Sequence, residues 1–328
     1  MNHDEDTPPG VDSARTPLED KASRIASLIS TFFRTTNYRG YLKFWEEHGF
    51  HILPTHYYSP IPSVRRLPNE HWQQESELVG IDMNAPMQLH LLRDIFPQFQ
   101  SEYNLFSAEP TDNPQAFYLD NGVFSGADPL VLYCMVRHYR PRRILEIGGG
   151  FSTLVSARAA LENGETELIS VEPHPRSFLS EDVPGLTSLI EQPVQSLGME
   201  TFARLDSGDI LFIDSSHVSK YGSDVNYLYL EVLPRLNPGV LVHVHDIFLP
   251  GDYPARWLQE HALFFSEQYL LQAFLTFNSQ YEVLLSNAYL TWYHADDLRH
   301  TFPTATPYHG GASFWMRRKS QGAAESQA

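Results

Sequence analysis

Histidine and aspartate side chains gather after two apolar stretches in the second half of the chain. Asp214 and His217 follow the run DILFID, and His243, His245 and Asp246 belong to the run VLVHVHDI. Both runs are typical of buried strands, and the carboxyl ends of neighbouring parallel strands meet at one edge of a sheet. These side chains can bind a divalent metal or move a proton, so this edge is the predicted reaction centre.

Two chemistries fit these residues. In the first, Asp214 and Asp246 bind Mg²⁺, which prefers oxygen ligands, and the metal acidifies a substrate hydroxyl whose proton a histidine accepts. In the second, no metal is needed, and His217 or His245 is the general base. Side chains alternate along a strand, so Asp246 points away from the two strand histidines unless the strand ends near residue 245. His243 is predicted to be a buried structural histidine.

A glycine-rich turn precedes these strands. A buried strand is predicted for the segment RILEIGG, and Gly148, Gly149 and Gly150 lead into a helix that starts at Ser152. Glycines let a backbone approach a ligand closely, and a helix N-terminus offers free N–H groups. A dinucleotide fingerprint would need a third glycine where Thr153 stands, so this fingerprint is absent.

Apolar strands and helices alternate from residue 143 onward, which indicates a parallel sheet covered on both faces. The predicted fold class is α/β, with a doubly wound, mostly parallel seven-stranded sheet and an antiparallel edge formed by the last two strands. Strands are predicted over 143–149, 168–172, 187–190, 209–214, 240–247, 281–286 and 312–317. Helices are predicted over 22–49, 87–99, 129–138, 152–163, 224–236 and 255–277, and a loop over 51–62.

The glycine turn resembles motif I of class I S-adenosylmethionine-dependent methyltransferases. The pattern is Glu146-x-Gly148-x-Gly150-x-Ser152, and Glu172 ends the next strand, 26 residues after Glu146. The resemblance extends over residues 121 to about 318. It is nearest to the bacterial enzymes grouped with the catechol O-methyltransferase-like and macrocin-type methyltransferases.

This resemblance implies that S-adenosylmethionine is the cofactor, with Glu172 accepting the ribose hydroxyls and Gln195 beside the adenine. The catechol-type enzymes bind their metal with two Asp and one Asn, and Ile247 stands where that Asn would be. The implied metal ligands are Asp214 and Asp246, and the catalytic candidates are His217, His245 and Asp214. The implied cofactor contacts are Glu146, Gly148, Gly150, Ser152, Glu172, Gln195 and Asp214.

Length and composition divide the chain into four predicted parts. These are a disordered acidic tail (1–20), an N-terminal helical and loop extension on the substrate side (21–120), a cofactor-binding methyltransferase domain (121–318) and a disordered tail (319–328). No apolar run approaches the roughly 18 residues that span a bilayer, and the N-terminus lacks a signal peptide, so a cytoplasmic protein is predicted. The net charge of −17 disfavours a nucleic-acid partner.

The predicted function is therefore S-adenosylmethionine-dependent O-methylation of a small, natural-product-like molecule, by a chain that could form a homo-oligomer. Two alternatives remain open. His217, His245 and one of the two aspartates could form a two-histidine, one-carboxylate iron site of a different enzyme on the same fold. The chain could also be a non-catalytic module, because a fold does not fix a function.

Overall fold

The computed structural model describes residues 16–305 and 310–320. The predictions made for residues 1–15 and 321–328 lie outside the described residues. The chain divides into two compact units, with the division between Ser63 and Val64. Among the helices that the structure describes, none is both long enough and apolar enough to cross a membrane.

The first unit contains two α-helices, α1 (Pro17–Thr35) and α2 (Leu42–Glu47), and a 3₁₀ turn over Tyr38–Tyr41. Helix α1 starts where it does because Thr16 caps it: the Thr16 hydroxyl accepts from the Glu19 N–H, and the Glu19 carboxylate accepts from the Thr16 N–H. The helix therefore begins inside the predicted tail, and it ends at Thr35, well before the predicted stop. Residues 51–62 form no helix, as predicted.

The second unit is built on a seven-stranded sheet in the order β3-β2-β1-β4-β5-β7-β6. Strands β1 to β5 are parallel, and β7 lies between β5 and β6 and is antiparallel to both. This topology confirms the predicted fold class. The strands are β1 (Arg143–Ile147), β2 (Glu167–Val171), β3 (Ser188–Ile190), β4 (Ile210–Ile213), β5 (Leu241–Val244), β6 (Tyr281–Ser286) and β7 (Phe314–Arg318).

Helices cover both faces of this sheet. They are α3 (Ala85–His90), α4 (Gln100–Tyr103), α5 (Asp128–Tyr139), α6 (Phe151–Asn163), α7 (Met199–Ala203), α8 (Asp224–Tyr227), α9 (Ala255–Gln259), α10 (Glu267–Leu275), α11 (Asn287–Tyr293) and α12 (Ala295–Thr301). The single helix predicted over 255–277 is wrong, because the chain leaves the helix after Gln259 and resumes it at Glu267. Helices α11 and α12 separate β6 from β7, where the sequence predicted no long helix.

Side-chain alternation along the strands gives each face of the sheet its own apolar core. Ile144 and Phe212 pack on the face covered by α5 and α6, whereas Leu145 and Ile213 pack on the face covered by α10. Phe96 is fully buried in the first of these cores. The compact unit that contains the sheet begins at Val64.

Candidate active site

Strand β1 turns into α6 at the carboxyl edge of the sheet, and Gly148 makes this turn. Its φ is +92°, and a Cβ at this position would lie 1.8 Å from the carbonyl oxygen of Asp214. The ends of β1 and β4 are thereby in direct backbone contact. Gly150 is different, because no atom lies within 4 Å of the position that its Cβ would occupy. The turn therefore leaves open space at its outer end.

A cleft of about 410 Å³, termed here the central cleft, lies beside this turn at the carboxyl ends of β1, β2 and β4. Four of the predicted cofactor residues line it: Gly148, Glu172, Gln195 and Asp214. The Glu172 carboxylate is oriented by the N–H groups of Gly149 (3.2 Å) and His174 (2.7 Å). The cleft lies at the point where the strand order reverses, between β1 and β4, which is where open α/β sheets bind ligands.

Next to the central cleft, four titratable side chains face one another; they are termed the histidine–aspartate cluster (Asp214, His217, His245 and Asp246). His217 Nε2 lies 3.2 Å from Asp214 Oδ1 and 3.5 Å from Asp246 Oδ2. His245 Nδ1 lies 3.3 Å from Asp214 Oδ1 and 3.6 Å from Asp246 Oδ1. Strand β5 ends at Val244, and Asp246 adopts a φ of +58°, so His245 and Asp246 both reach Asp214.

Each histidine of the cluster is held from behind by a buried carboxylate. His217 Nδ1 lies 2.8 Å from Oε2 of Glu267, the first residue of α10, and the α10 backbone N–H of Glu267 donates to the His217 carbonyl. His245 Nε2 lies 3.1 Å from Oδ2 of Asp128, the first residue of α5. The sequence resemblance places Asp128 in the segment before motif I that folds over the cofactor, but it does not predict a contact with His245. Glu267 lies inside a predicted helix and carried no signal of its own.

Comparison with known proteins identifies the family of this chain. A model of a methyltransferase domain matches residues 145–247, which contain the glycine turn and the whole histidine–aspartate cluster. An uncharacterized protein of Archaeoglobus fulgidus is 32% identical over 167 residues, which cover 48% of this chain and 75% of that protein. The chain belongs to the class I S-adenosylmethionine-dependent methyltransferases.

Two solved structures similar to this methyltransferase are O-methyltransferases by name. The first is TomG of Streptomyces achromogenes in complex with S-adenosylmethionine (18% identity, 69% of this chain and 88% of that chain covered, TM-score 0.37). The second is a Bacillus cereus O-methyltransferase in complex with S-adenosylhomocysteine (14% identity, 70% and 90% covered, TM-score 0.35).

The histidines and carboxylates of the cluster shift one another's pKa values, as the members of ion pairs do. Burial lowers the pKa of His217, but hydrogen bonds and charge from Asp214 and Glu267 outweigh burial and raise it to about 10. Burial also lowers the pKa of His245, and the charges of Asp246 and Asp214 bring it well above its usual value. Burial raises the pKa of Asp214, whereas the two imidazoles hold it well below its usual range.

Glu146 of the methyltransferase is fully buried and braces the glycine turn from inside. Its Oε1 accepts from the Ser152 hydroxyl (2.7 Å) and its Oε2 from the Thr153 hydroxyl (2.6 Å), while Thr153 Oγ accepts from the Gly150 N–H (3.0 Å). In this conformation neither Glu146 nor Ser152 lines the central cleft. Their direct contact with a cofactor stays a prediction, and the hydrogen bonds give both residues a part in shaping the turn.

The buried carboxyl of Glu146 should make stability depend on pH. Burial raises its pKa from 4.5 to about 7, against the hydrogen bonds from Thr153 and Ser152. A raised carboxyl pKa gives stability that is complete below the unfolded-state pKa and is lost as the pH rises through the folded-state pKa. Urea unfolding should show wild type losing about 2 kcal/mol between pH 5.5 and pH 8 relative to Glu146→Gln. Equal pH slopes for the two proteins would contradict this expectation.

His243 lies outside the cluster, as predicted. Its ring stacks between Phe212 (4.1 Å between centroids) and Trp315 (4.3 Å), and Nε2 lies 2.8 Å from Ser313 Oγ. Burial lowers its pKa well below the usual value, so the imidazole is neutral. It therefore packs as part of the core of the methyltransferase.

Proposed function

We propose that this methyltransferase transfers a methyl group from S-adenosylmethionine to a hydroxyl group of a small molecule. One observation carries the proposal: Asp214 lines the central cleft and also belongs to the histidine–aspartate cluster. A cofactor in the cleft would therefore adjoin groups that can accept a proton. An open cleft of this volume also disfavours the non-catalytic alternative, for which a collapsed cleft is expected.

The residues of the central cleft fit S-adenosylmethionine. Glu172 is partly exposed and already oriented by two backbone N–H groups, so its carboxylate can accept both ribose hydroxyls. Gln195 lies across the cleft, where it donates to the Gly222 carbonyl (3.0 Å). Gly150 does not line the cleft, but the open space beside it leaves room for a ligand close to the glycine turn. When bound, the cofactor supplies a methyl group on a positively charged sulfur, and the protein has to align the acceptor with it.

Mg²⁺, which the sequence resemblance implies, does not fit the cluster. Mg²⁺ binds oxygen ligands in octahedral geometry and retains several waters. The side chains that lie close enough together to hold one ion are Asp214, His217 and Asp246, so an imidazole nitrogen takes the place of an oxygen ligand. Ile247, at the place of a third oxygen ligand, is a fully buried apolar residue. We therefore derive no step through Mg²⁺.

The hydroxyl proton must leave as the new oxygen–carbon bond forms, and the histidine–aspartate cluster offers the acceptors. We propose His217 or His245 as the general base. The ion pairs described above keep both rings protonated, so either one can accept the hydroxyl proton only after its own proton has passed to solvent. Asp246 is a second acceptor, because burial raises its pKa, against the charges of His245 and His217. Asp214 holds the acceptors beside the cleft and so has a positioning role.

The surroundings of His217 favour a substrate that carries a ring. The Phe265 ring lies 4.7 Å from the His217 ring, and Tyr253 and Trp257 pack against Phe265 at 5.8 and 5.3 Å. Aromatic surfaces of this kind bind flat or sugar-like rings by stacking. A small molecule also agrees with the net charge of −17, which would repel a phosphate backbone.

Calorimetric titration with S-adenosylhomocysteine tests the cofactor site. We expect Glu172→Ala to bind it 10- to 100-fold more weakly than wild type, since two hydrogen bonds to a charged group are lost. The exposed Glu165→Ala is the matched control and should bind as wild type does. Undetectable binding to wild type, or equal affinity of Glu172→Ala, would refute the assignment.

Methyl transfer itself is tested with labelled S-adenosylmethionine and a panel of phenols and sugars. A wild-type protein that binds the cofactor but methylates only amines or thiols in a matched panel would exclude hydroxyl chemistry. His217→Gln, His245→Gln and Asp246→Asn then identify the acceptor, because the variant that lacks it should lose 10²–10⁴-fold in turnover.

A further inference from the structure

Helix α1 carries an apolar face that the first unit leaves uncovered. Leu18, Leu28 and Ile25 on this helix are 74%, 72% and 48% exposed. Among residues 16–63, which are the described part of the first unit, none is buried. We propose that α1 packs antiparallel against α1 of a second copy of this chain, so that the protein is a homodimer.

The size of the first unit is the first reason to expect a second chain. A unit this small buries too little apolar surface to be stable by itself, and such units usually depend on a disulfide, a metal or oligomerisation. The single cysteine of the chain, Cys134, lies in the second unit, so the first unit has no disulfide of its own. Among the described residues, the group that could hold a metal ion also lies in the second unit.

The spacing of the apolar residues of α1 is typical of helices that pack side by side. These residues follow one another at alternate intervals of four and three: Leu18, Ala22, Ile25, Ile29 and Phe32. That repeat forms one stripe along the helix and is the seam of two-stranded helical pairs. We call these five residues the α1 stripe.

Within the first unit, aromatic rings cover only the C-terminal end of the α1 stripe. The rings of Tyr41 and Trp45 lie 5.2 and 5.6 Å from the ring of Phe32. Leu18 and Ile25 come before this point and stay exposed. A partner is therefore needed along the N-terminal two-thirds of the helix.

The α1 stripe is complementary to itself when the second helix runs in the opposite direction. With Ser27 at the level of the two-fold axis, Ile25 lies opposite Ile29 of the second copy. Ala22 lies opposite Phe32 of the second copy, where a small residue leaves room for a large ring. Because a two-fold interface uses the same surface on both copies, each of these contacts occurs twice.

Charge favours this direction over a parallel pair. The first turn of α1 contains Glu19 and Asp20, and the last turn contains Arg34. An antiparallel pair places the acidic end of each helix beside the basic end of the other, whereas a parallel pair places the two acidic ends together. The two acidic residues also disfavour a membrane surface as the partner, because helices that lie on membranes are rich in Lys and Arg on their polar face.

Sedimentation equilibrium of the full-length chain tests the dimer. We expect wild type to have twice the 37.5 kDa mass of one chain. Leu28→Glu and Ile25→Glu each place two carboxylates in the contact and should weaken dimerisation at least about 100-fold. Both residues are exposed in the single chain, so the variants should keep the circular dichroism spectrum of wild type. Ser27→Glu adds the same charge on the outer side of the same helix and is the matched control, expected to dimerise as wild type does.

Cysteine cross-linking tests the direction of the two helices. Ala26 lies next to Ala26 of the second copy in the proposed register, so a short bismaleimide should join Ala26→Cys to its own copy. Ser27→Cys points outward and should not be joined, and Cys134 is buried and should not react. The inference is overturned if wild type is a monomer, if Leu28→Glu and Ile25→Glu dimerise as wild type does, or if the two cysteine variants cross-link alike. A monomer that binds anionic lipid vesicles, and loses this binding in Leu28→Glu, would assign the face to a membrane instead.

Discussion

Gly148→Ala is expected to destabilise the methyltransferase by roughly 3–5 kcal/mol, or to prevent folding. The new methyl group would lie 1.8 Å from the carbonyl oxygen of Asp214 and 2.8 Å from its carbonyl carbon. Neither partner can move aside, because both belong to the ends of central strands whose N–H and C=O groups are paired: the Asp214 N–H donates to the Ile147 carbonyl (2.8 Å). The φ of +92° adds strain for any residue with a Cβ. Thermal and urea unfolding measure the loss.

Gly150→Ala is the control for this substitution in the same turn. Gly150 has an extended φ of −170°, and its Cβ would meet no atom within 4 Å. The free energy of unfolding of the variant should therefore lie within about 0.5 kcal/mol of the wild-type value. Gly150 does not line the central cleft, so S-adenosylhomocysteine should bind more weakly only if the cofactor extends from the cleft to the open space at Gly150. Similar stabilities for the two alanine variants would show that the close approach of β1 and β4 is wrong.

Asp128→Ala is expected to lower the free energy of unfolding by about 3–5 kcal/mol, because it removes the acceptor of a buried hydrogen-bond network. The Asp128 carboxylate accepts from the N–H groups of Ala312 and Ser313, from the side chain of Asn287 (2.8 Å) and from His245. All of these donors would stay buried without a partner. Urea unfolding at a fixed pH measures the effect.

A surface aspartate supplies the comparison. Asp94→Ala removes a carboxylate that makes an exposed contact with His90 and should change the free energy of unfolding by less than about 1 kcal/mol. Asp128→Asn keeps the shape of the side chain but only one accepting oxygen. Its loss in the free energy of unfolding should lie between those of Asp128→Ala and Asp94→Ala. If Asp128→Ala is no worse than Asp94→Ala, the network does not contribute to stability as its geometry indicates.

The sheet could be predicted from the sequence because its strands are short, apolar and flanked by turn residues. All seven lie within the predicted segments or differ from them by one or two residues. Helices α11 and α12 escaped prediction because seven residues give too little periodicity to recognise. Helix α11 starts because the Ser286 hydroxyl accepts from the Tyr289 N–H, a signal that a β-strand context hides.

Half of the candidate site followed from the rule that ligands bind at the carboxyl ends of parallel strands. That rule predicted Glu172, Asp214 and His217 as site residues, because they follow strands. It could not predict Asp128 and Glu267, because each begins a helix and comes from a distant part of the chain. Acidic residues in the first turn of a helix are common for electrostatic reasons alone, so their type carried no specific meaning.

The shared position of Asp214 has a thermodynamic consequence. Its backbone touches the glycine turn, its side chain meets both imidazoles, and the residue lines the central cleft. Binding of the cofactor beside Asp214 and protonation of the cluster are therefore expected to be linked equilibria. Linkage is reciprocal: if protonation of the cluster changes the affinity for the cofactor by some factor, the cofactor changes the proton affinity of the cluster by the same factor. The affinity for the cofactor would then depend on pH.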